Sequence, residues 1–263
     1  MNLGTKDALP IVIAGDLHGD LQWARHLIRA AHTAGAKTIL QVGDLGVLWP
    51  GAGKGRFDAK LDRYLDHFDV DLVFIDGNHD NHTELRALEV GPDGLATVLP
   101  RIRYLPRAGR TVIQGLTTGG LGGAFSVDHA FRKAGVDWWP EIEEVEPRDV
   151  ERLVAGPTID ILLAHEVPAS VPLAPEWDLT AGDAVLAQQS RHLLQQAVTA
   201  LRPTNVFSGH WHQRVTDVIL HPEGTQTRVD VLDMNGSRAG NAVLVWPGKP
   251  LRIESLFVGG ARR

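Results

Sequence analysis

The stretch IVIAGDLH at residues 11–18 decides how this chain is read, because four apolar residues in succession end abruptly in glycine, an acid and a histidine. So short a run, apolar at every position, fits a strand covered on both faces. Leu21, Ala24, Leu27, Ile28 and Ala31 follow at helical spacing, which sets an amphipathic helix directly behind that strand. The pattern then returns. Residues 38–42 run into Gly43-Asp44, residues 70–75 into Asp76-Gly77-Asn78-His79-Asp80, and between them Phe57, Leu61, Tyr64, Leu65 and Phe68 recur at helical spacing. Strand, helix, strand, helix, strand opens an α/β fold with a largely parallel sheet.

Farther along, residues 102–105 and 111–116 read as two shorter strands parted by the turn Pro106-Arg107-Ala108-Gly109. Residues 159–164 resume the buried pattern. Thr180 with Asp183 three residues on makes a capping box for a helix running to about Leu201, ahead of Pro203. After a strand at 205–208, the runs 215–220, 227–232, 242–246 and 251–258 alternate with Gly and Pro turns and predict a β meander. The chain shows no internal repeat and no Ser- or Pro-rich linker, so a single domain over residues 1–263 is expected. The candidate cap insertion is 119–147, which carries a glycine cluster, Trp138, Trp139 and the acids Glu141, Glu143, Glu144 and Glu146.

Composition narrows the function classes. At 43% hydrophobic and 22% charged, the 263 residues match an ordinary folded domain and exclude a disordered or collagen-like chain. Its apolar runs are far shorter than the roughly 20 residues of a membrane span. A net charge of −6, with no basic run beyond Arg262 and Arg263, argues against coating duplex nucleic acid. There is no cysteine, so disulfides, thiolate zinc sites and thiol nucleophiles are excluded and any metal must be held by His, Asp, Asn or Glu. Met1 to Pro10 lacks the layout of a secretion signal, and a cytoplasmic location is expected.

The chemistry sits at strand ends. Asp16 and His18 leave the first strand, Asp44 the second, and Asn78 and His79 the third. His165 follows residues 162–164, and Gly209-His210-Trp211-His212 follows residues 206–208. Open α/β sheets form their ligand crevice at the carboxyl ends of strands. A single strand-end histidine carries little weight. Five strands that each finish in a nitrogen or oxygen ligand point to a metal site, and a carboxylate, amide and imidazole set suits manganese, iron, zinc or nickel better than calcium.

Taken in order, Asp16-x-His18, Gly43-Asp44, Gly77-Asn78-His79-Asp80, His165 and Gly209-His210-x-His212 resemble the calcineurin-like metallophosphoesterase superfamily. The resemblance spans residues 16–212. It implies a four-layer α/β (α+β) fold, a β-sandwich of two mixed sheets flanked by helices, with the tail meander in the second sheet. It also implies two divalent metal ions, one on Asp16, His18 and His212 and one on Asn78, His165 and His210, with Asp44 bridging. Manganese is the expected pair, with iron, zinc, nickel or magnesium as alternatives. By the same resemblance a hydroxide bridging the metals attacks phosphorus and His79 protonates the leaving oxygen, with Asp80 a candidate to orient that imidazole.

Departures from the superfamily's pattern bear on substrate. Leu45-Gly46-Val47 stands where its protein phosphatases carry Asp-Arg-Gly, and Asp80 where they carry Glu, so a dedicated protein phosphatase is not expected. Residues 43–51, 122–128 and 138–141 instead resemble small bacterial and phage metallophosphoesterases. Arg132 is a candidate phosphate clamp, since a guanidinium matches phosphate oxygens two at a time, and a surface salt bridge is its plain alternative. His82 and His129 either reach substrate from the rim or lie solvated on the surface. Trp138 and Trp139 either stack a base or anchor the cap. Trp211, alternating with two ligand candidates, should pack beneath the site. The expected activity is hydrolysis of phosphodiesters, small or cyclic nucleotides among them, with no duplex nucleic acid or membrane partner. A broad-specificity phosphomonoesterase or phosphoprotein phosphatase and a non-catalytic scaffold of the same fold are the alternatives, and the oligomeric state is left open.

Overall fold

The computed structural model describes residues 9–174 and 178–259, so the N-terminal stretch read against a secretion signal lies largely outside the described residues, as do Arg262 and Arg263. Strands β1 (Ile11–Ala14), β2 (Thr38–Gln41) and β3 (Asp71–Phe74) pair side by side in parallel, linked by helices α1 (Leu21–Thr33) and α2 (Arg56–Phe68). Asp20 starts α1 by accepting the amides of Gln22 and Trp23, and the helix buries Trp23, Ala24, Leu27, Ile28 and Ala31. A short helix α3 (His82–Arg86) follows, capped by Asn81, and then β4 (Ala96–Leu99) and β5 (Ile102–Tyr104) extend the same sheet.

The second sheet is built from β6 (Arg110–Ile113), β7 (Leu116–Leu121), β8 (Ile161–Ala164), β9 (Asn205–Ser208), β10 (Val215–Leu220) and β11 (Gln226–Val231). Helices α4 (Pro147–Ala155) and α5 (Ala181–Leu201) cover its outer face. Thr180 caps α5 as the sequence predicts, accepting the Asp183 amide at 3.1 Å. The last strands, β12 (Ala242–Trp246) and β13 (Arg252–Leu256), return to the first sheet. Its order is β13-β12-β1-β2-β3-β5-β4, against β10-β11-β9-β8-β7-β6 in the other.

Alternation along each strand makes the layers. Ile11 and Ile13 of β1 meet Ile161, Leu163 and Phe207 between the sheets, whereas Val12 and Ala14 face α1. Leu162 and Ala164 of β8 face α4 and α5 in the same way. The result is helix, sheet, sheet, helix. Strands buried on both faces explain the unbroken apolar runs of the sequence.

Three expectations are corrected. The tail is not one meander in the second sheet, because β10 and β11 join that sheet while β12 and β13 flank β1 in the first. Residues 111–116 are not one strand: Gln114 and Gly115, both at positive φ, turn the chain between β6 and β7. Residues 119–121 therefore belong to β7, between β6 and β8, and the segment leaving the sheets runs from 122 to 146, through turns and a 3₁₀ turn at His129–Phe131.

Candidate metal centre

Parallel strands release their carboxyl ends at one edge, and five of them do so here. β1, β2 and β3 of one sheet and β8 and β9 of the other lead straight into Asp16, Asp44, Asn78, His165 and His210. The side chains converge between the sheets. His212 Nε2 lies 3.2 Å from an Asp16 oxygen, and the His210 amide donates to the same carboxylate at 3.1 Å. Asp44 presents Oδ2 to His18 Nε2 at 3.3 Å and Oδ1 to His165 Nε2 at 3.4 Å. Asn78 Oδ1 stands 3.0 Å from His165 Nε2. Among the described residues, Asp16, His18 and His212, and Asp16, Asp44 and His165, each bring one potential ligand atom per residue within 4.8 Å of the others.

The backbone is bent to achieve this. His18, Asp44, His210 and His212 hold φ of 45°, 58°, 68° and 49°, in the left-handed region, where a residue with a Cβ costs on the order of 1–3 kcal/mol. Such strain persists only where the surroundings over-determine it. Two glycines give the carboxylate and imidazole room: a Cβ on Gly77 would lie 2.1 Å from Asp44 Oδ1, and one on Gly43, at φ 100°, would lie 2.4 Å from His165 Nδ1.

Hydrogen bonds behind the ligands set which atom points inward. His165 Nδ1 donates to the Val42 carbonyl at 2.7 Å, so Nε2 is the nitrogen turned into the cluster. Asn235 Oδ1 takes the Nδ1 proton of His18 at 3.1 Å, with the same outcome. Asn78 donates its amide to Ser126 Oγ at 3.2 Å and so turns Oδ1 inward.

Electrostatics bears on the same cluster. Burial disfavours an imidazolium at His165, but the Asp44 charge outweighs it and raises the pKa to about 10. His18 is raised to about 9 in the same way, burial opposing and Asp44 prevailing. His210 goes the other way, since burial and the neighbouring His165 hold it neutral. Among the described residues its Nε2 is buried without a hydrogen-bond partner. Two buried carboxylates balanced by borrowed protons, beside an orphaned imidazole nitrogen, form a donor set that divalent cations fit.

His79 lies at the mouth of this cluster. Its amide donates to Asp44 Oδ1 at 2.7 Å, while its Nε2 faces Asp128 Oδ2 at 3.3 Å. Asp128, not Asp80, is the acid beside that ring. The Asp80 carboxylate is fully buried and accepts the backbone amides of Asp44, Gly46 and Gly77 at 2.9, 3.0 and 2.8 Å, which ties the loops after β2 and β3 together. Its expected role in orienting His79 is therefore corrected to one in holding backbone.

His82 is not on the rim. It is buried at the start of α3, 3.3 Å from Asp76 and packed on Trp139. Arg132 reaches the site but not as a free clamp, because its guanidinium donates to Ser126 Oγ at 2.6 Å, to the Asn78 carbonyl at 3.1 Å and to the Asp137 carbonyl. It braces the turn that carries Asn78. Trp139 is buried against Trp49, and Trp138 donates to Glu143, so both act as anchors. Trp211 is buried and donates to Glu166 at 2.7 Å, as its place between two ligand candidates suggests. His129 pairs with Asp183 at 3.0 Å.

Asp128, Asn235 and Ser126 carry functional contacts that the sequence did not disclose. Ser126 and Asp128 fall in the 122–128 stretch that resembles small bacterial and phage metallophosphoesterases, whereas nothing in the sequence singles out Asn235.

With the geometry in place, comparison with known proteins is informative. The calcineurin-like phosphoesterase family model matches residues 9–214. Lariat debranching enzymes of Drosophila pseudoobscura pseudoobscura and Drosophila melanogaster are each 26% identical, over 170 and 165 residues, which is 59% and 57% of this chain. The matched stretch spans only 30% of those curated relatives' own length. TT1561 of Thermus thermophilus superposes with a TM-score of 0.53 at 16% identity, covering 95% of this chain and 99% of its own. A dimetal phosphatase from Danio rerio superposes at 0.54 with 10% identity, covering 97% and 100%. At those identities the structures speak for the fold alone, and they agree on two mixed β-sheets with flanking helices. No helix among the described residues is long and apolar enough to cross a membrane.

Proposed function

The chain belongs to the calcineurin-like phosphoesterase family, and from that premise we propose that it is a dinuclear-metal hydrolase of phosphodiesters, acting on small nucleotides, cyclic ones included. One observation carries the two-metal reading: Asp44 turns one carboxylate oxygen toward His18 and the other toward His165, so a single side chain serves both halves of the cluster. Asp16, His18 and His212 would hold one cation, and Asn78, His165 and His210 the other, with manganese the preferred occupant. When bound, such a pair lowers the pKa of water and neutralises the charge that builds on the phosphoryl oxygens.

The rest falls to the protein. His79 opens into a cleft of about 510 Å³ that His18, Asp44 and His212 also line. There the His79 Nε2, which lies 3.3 Å from Asp128 and is held toward the cleft by it, can give a proton to the departing ester oxygen. Asp128 and Asp178 line the same cleft, and with the net charge of −6 they disfavour a long polyanion. That supports a small substrate and leaves duplex nucleic acid outside the reading. The partial match to lariat debranching enzymes supports the diester side of the choice. A small nucleotide substrate would also place the protein in the cytoplasm.

The test uses metal-stripped protein reloaded with manganese and given bis-p-nitrophenyl phosphate. Hydrolysis should return with metal, and His79→Ala should slow esters of poorly acidic alcohols far more than those of p-nitrophenol. An equal slowdown for every leaving group would remove His79 from the role of acid. No hydrolysis of any phosphoester would overturn the proposal.

A further inference from the structure

His18 and His79 do not border one cleft only. They also line a second recess of about 340 Å³, walled by Trp49, Pro50 and Phe57, within the size range of small-molecule pockets. The two recesses differ in chemistry. Asp128 and Asp178 line the first, whereas among the described residues no charged side chain lines the second apart from the shared histidines. A second phosphate would find no cation there, but a planar aromatic group would find a tryptophan face.

The wall is held in place. Trp49 is half-buried and meets Trp139 edge to face at 5.9 Å. The residue before it, Leu48, has left-handed backbone at φ 56°. Its amide donates to the buried carboxylate of Asp58 at 3.0 Å, and its carbonyl accepts from the buried Asn81 at 2.8 Å. Two buried polar side chains from different helical segments thus fix one loop residue whose conformation is itself unfavourable. Leu48 itself packs against the core, whereas the Trp49 ring it positions is only half covered. Strained backbone pinned beside a reactive centre is the mark of a preorganised contact surface.

Resting on the phosphoesterase reading, we propose that this recess seats the nucleobase of the substrate, stacked on Trp49 between Pro50 and Phe57. Stacking tolerates any base, because each has a π face. The residue selects for an aromatic substituent rather than for a particular base.

The manganese-loaded full chain is titrated calorimetrically with adenosine 5′-monophosphate and with ribose 5-phosphate, which share the phosphate and the sugar and differ in the base. The nucleotide should bind about tenfold tighter. In Trp49→Ala the preference should shrink to within about twofold, and Trp49→Phe should keep most of it. Thermal melts followed by circular dichroism check the fold; if Trp49→Ala is unfolded, Trp49→Leu keeps bulk without an aromatic face and carries the same expectation. An undiminished preference in a folded, non-aromatic variant overturns the inference. Equal binding of the two ligands by the unmodified protein overturns it too, while leaving the phosphoesterase reading intact. Binding of neither ligand overturns that reading and the inference with it.

Discussion

Asp44 and Asp76 lie at the ends of neighbouring strands, are equally buried, and have opposite kinds of company. Asp44 faces imidazoles, His18 at 3.3 Å and His165 at 3.4 Å. Asp76 closes on Arg107 at 2.6 Å, accepts the Tyr104 hydroxyl at 3.0 Å and has His82 at 3.3 Å. Burial works against the charge of both, and in both the neighbours prevail and hold the carboxyl below its usual range: chiefly His165 and His79 for Asp44, Arg107 for Asp76. The countercharges differ in kind. A guanidinium is permanent at any pH a protein meets, whereas an imidazolium can surrender its proton to solution and its lone pair to a metal. The flank around Asp76 is closed for good, and the cluster around Asp44 is balanced only by exchangeable charge.

The largest expected effect tests the exchangeable side. Asp44→Asn keeps the shape and removes the charge that both halves of the cluster share. Phosphoesterase kcat/KM should fall by about 10⁴-fold, equivalent to about 5.5 kcal/mol. Manganese at about 100 times its Kd should stabilise the unmodified protein by about 2.7 kcal/mol, and much of that gain should vanish in the variant. A variant that still gains fully from manganese would show that Asp44 is no more a metal ligand than Asp76 is.

Arg107→Met tests the permanent side. It leaves Asp76 buried without its cation and strips the carbonyls of Glu143 and Glu144 of their donor. Urea unfolding should show a loss of about 3–5 kcal/mol, the range for a buried pair broken on one side. Adding Asp76→Asn should recover part of it. Manganese affinity should be unaltered in the folded fraction. A loss under about 1 kcal/mol would mean that water reaches Asp76 and that the flank is less closed than its burial implies.

The exchangeable region was the legible one. Each ligand candidate followed an apolar run, so residues such as Asp44 and His165 could be placed at strand ends from order alone. What sequence does not encode is direction. Asp80 sits one residue after His79, yet the turn carries its carboxylate toward three amides, and nothing local to Asn-His-Asp tells that from contact with the ring. His82 fits neither alternative, substrate contact from the rim or solvated surface, because the capping Asn81 starts a helix whose inner face carries it. The partner that closes Asp76 is Arg107, 31 residues on, a separation no motif spans.

Some misses left signals in the chain. Helix α4 begins with Glu146, Pro147 and Asp149, a capping box with proline in the first turn, hidden among acids read as a cap. Strand β12 is apolar at every position, unlike the alternating β10, and a strand covered on both faces belongs inside a sheet, here between β1 and β13.

The smallest effect sharpens the comparison at a second closed acid. Asp230 on β11 is buried, yet its partners Arg214, at 2.6 Å, and Arg228, at 2.7 Å, are 24% and 39% exposed, so solvent screens the pairing that Arg107 keeps dry. Burial raises the Asp230 pKa, but the hydrogen bonds from Arg228 and Arg214 prevail and lower it. A carboxyl depressed on folding adds stability above its unfolded value of about 4, and that stability drains away as pH falls through the lower folded value. Asp230→Asn should therefore cost about 1 kcal/mol near neutrality. Unfolding free energies of the two proteins should converge as the pH falls below the ordinary carboxyl value, where the native acid takes up its proton. A gap that stays constant with pH would mean that shape and hydrogen bonding, rather than charge, hold Asp230 in place, and that permanence of the countercharge matters only where the guanidinium is itself out of water.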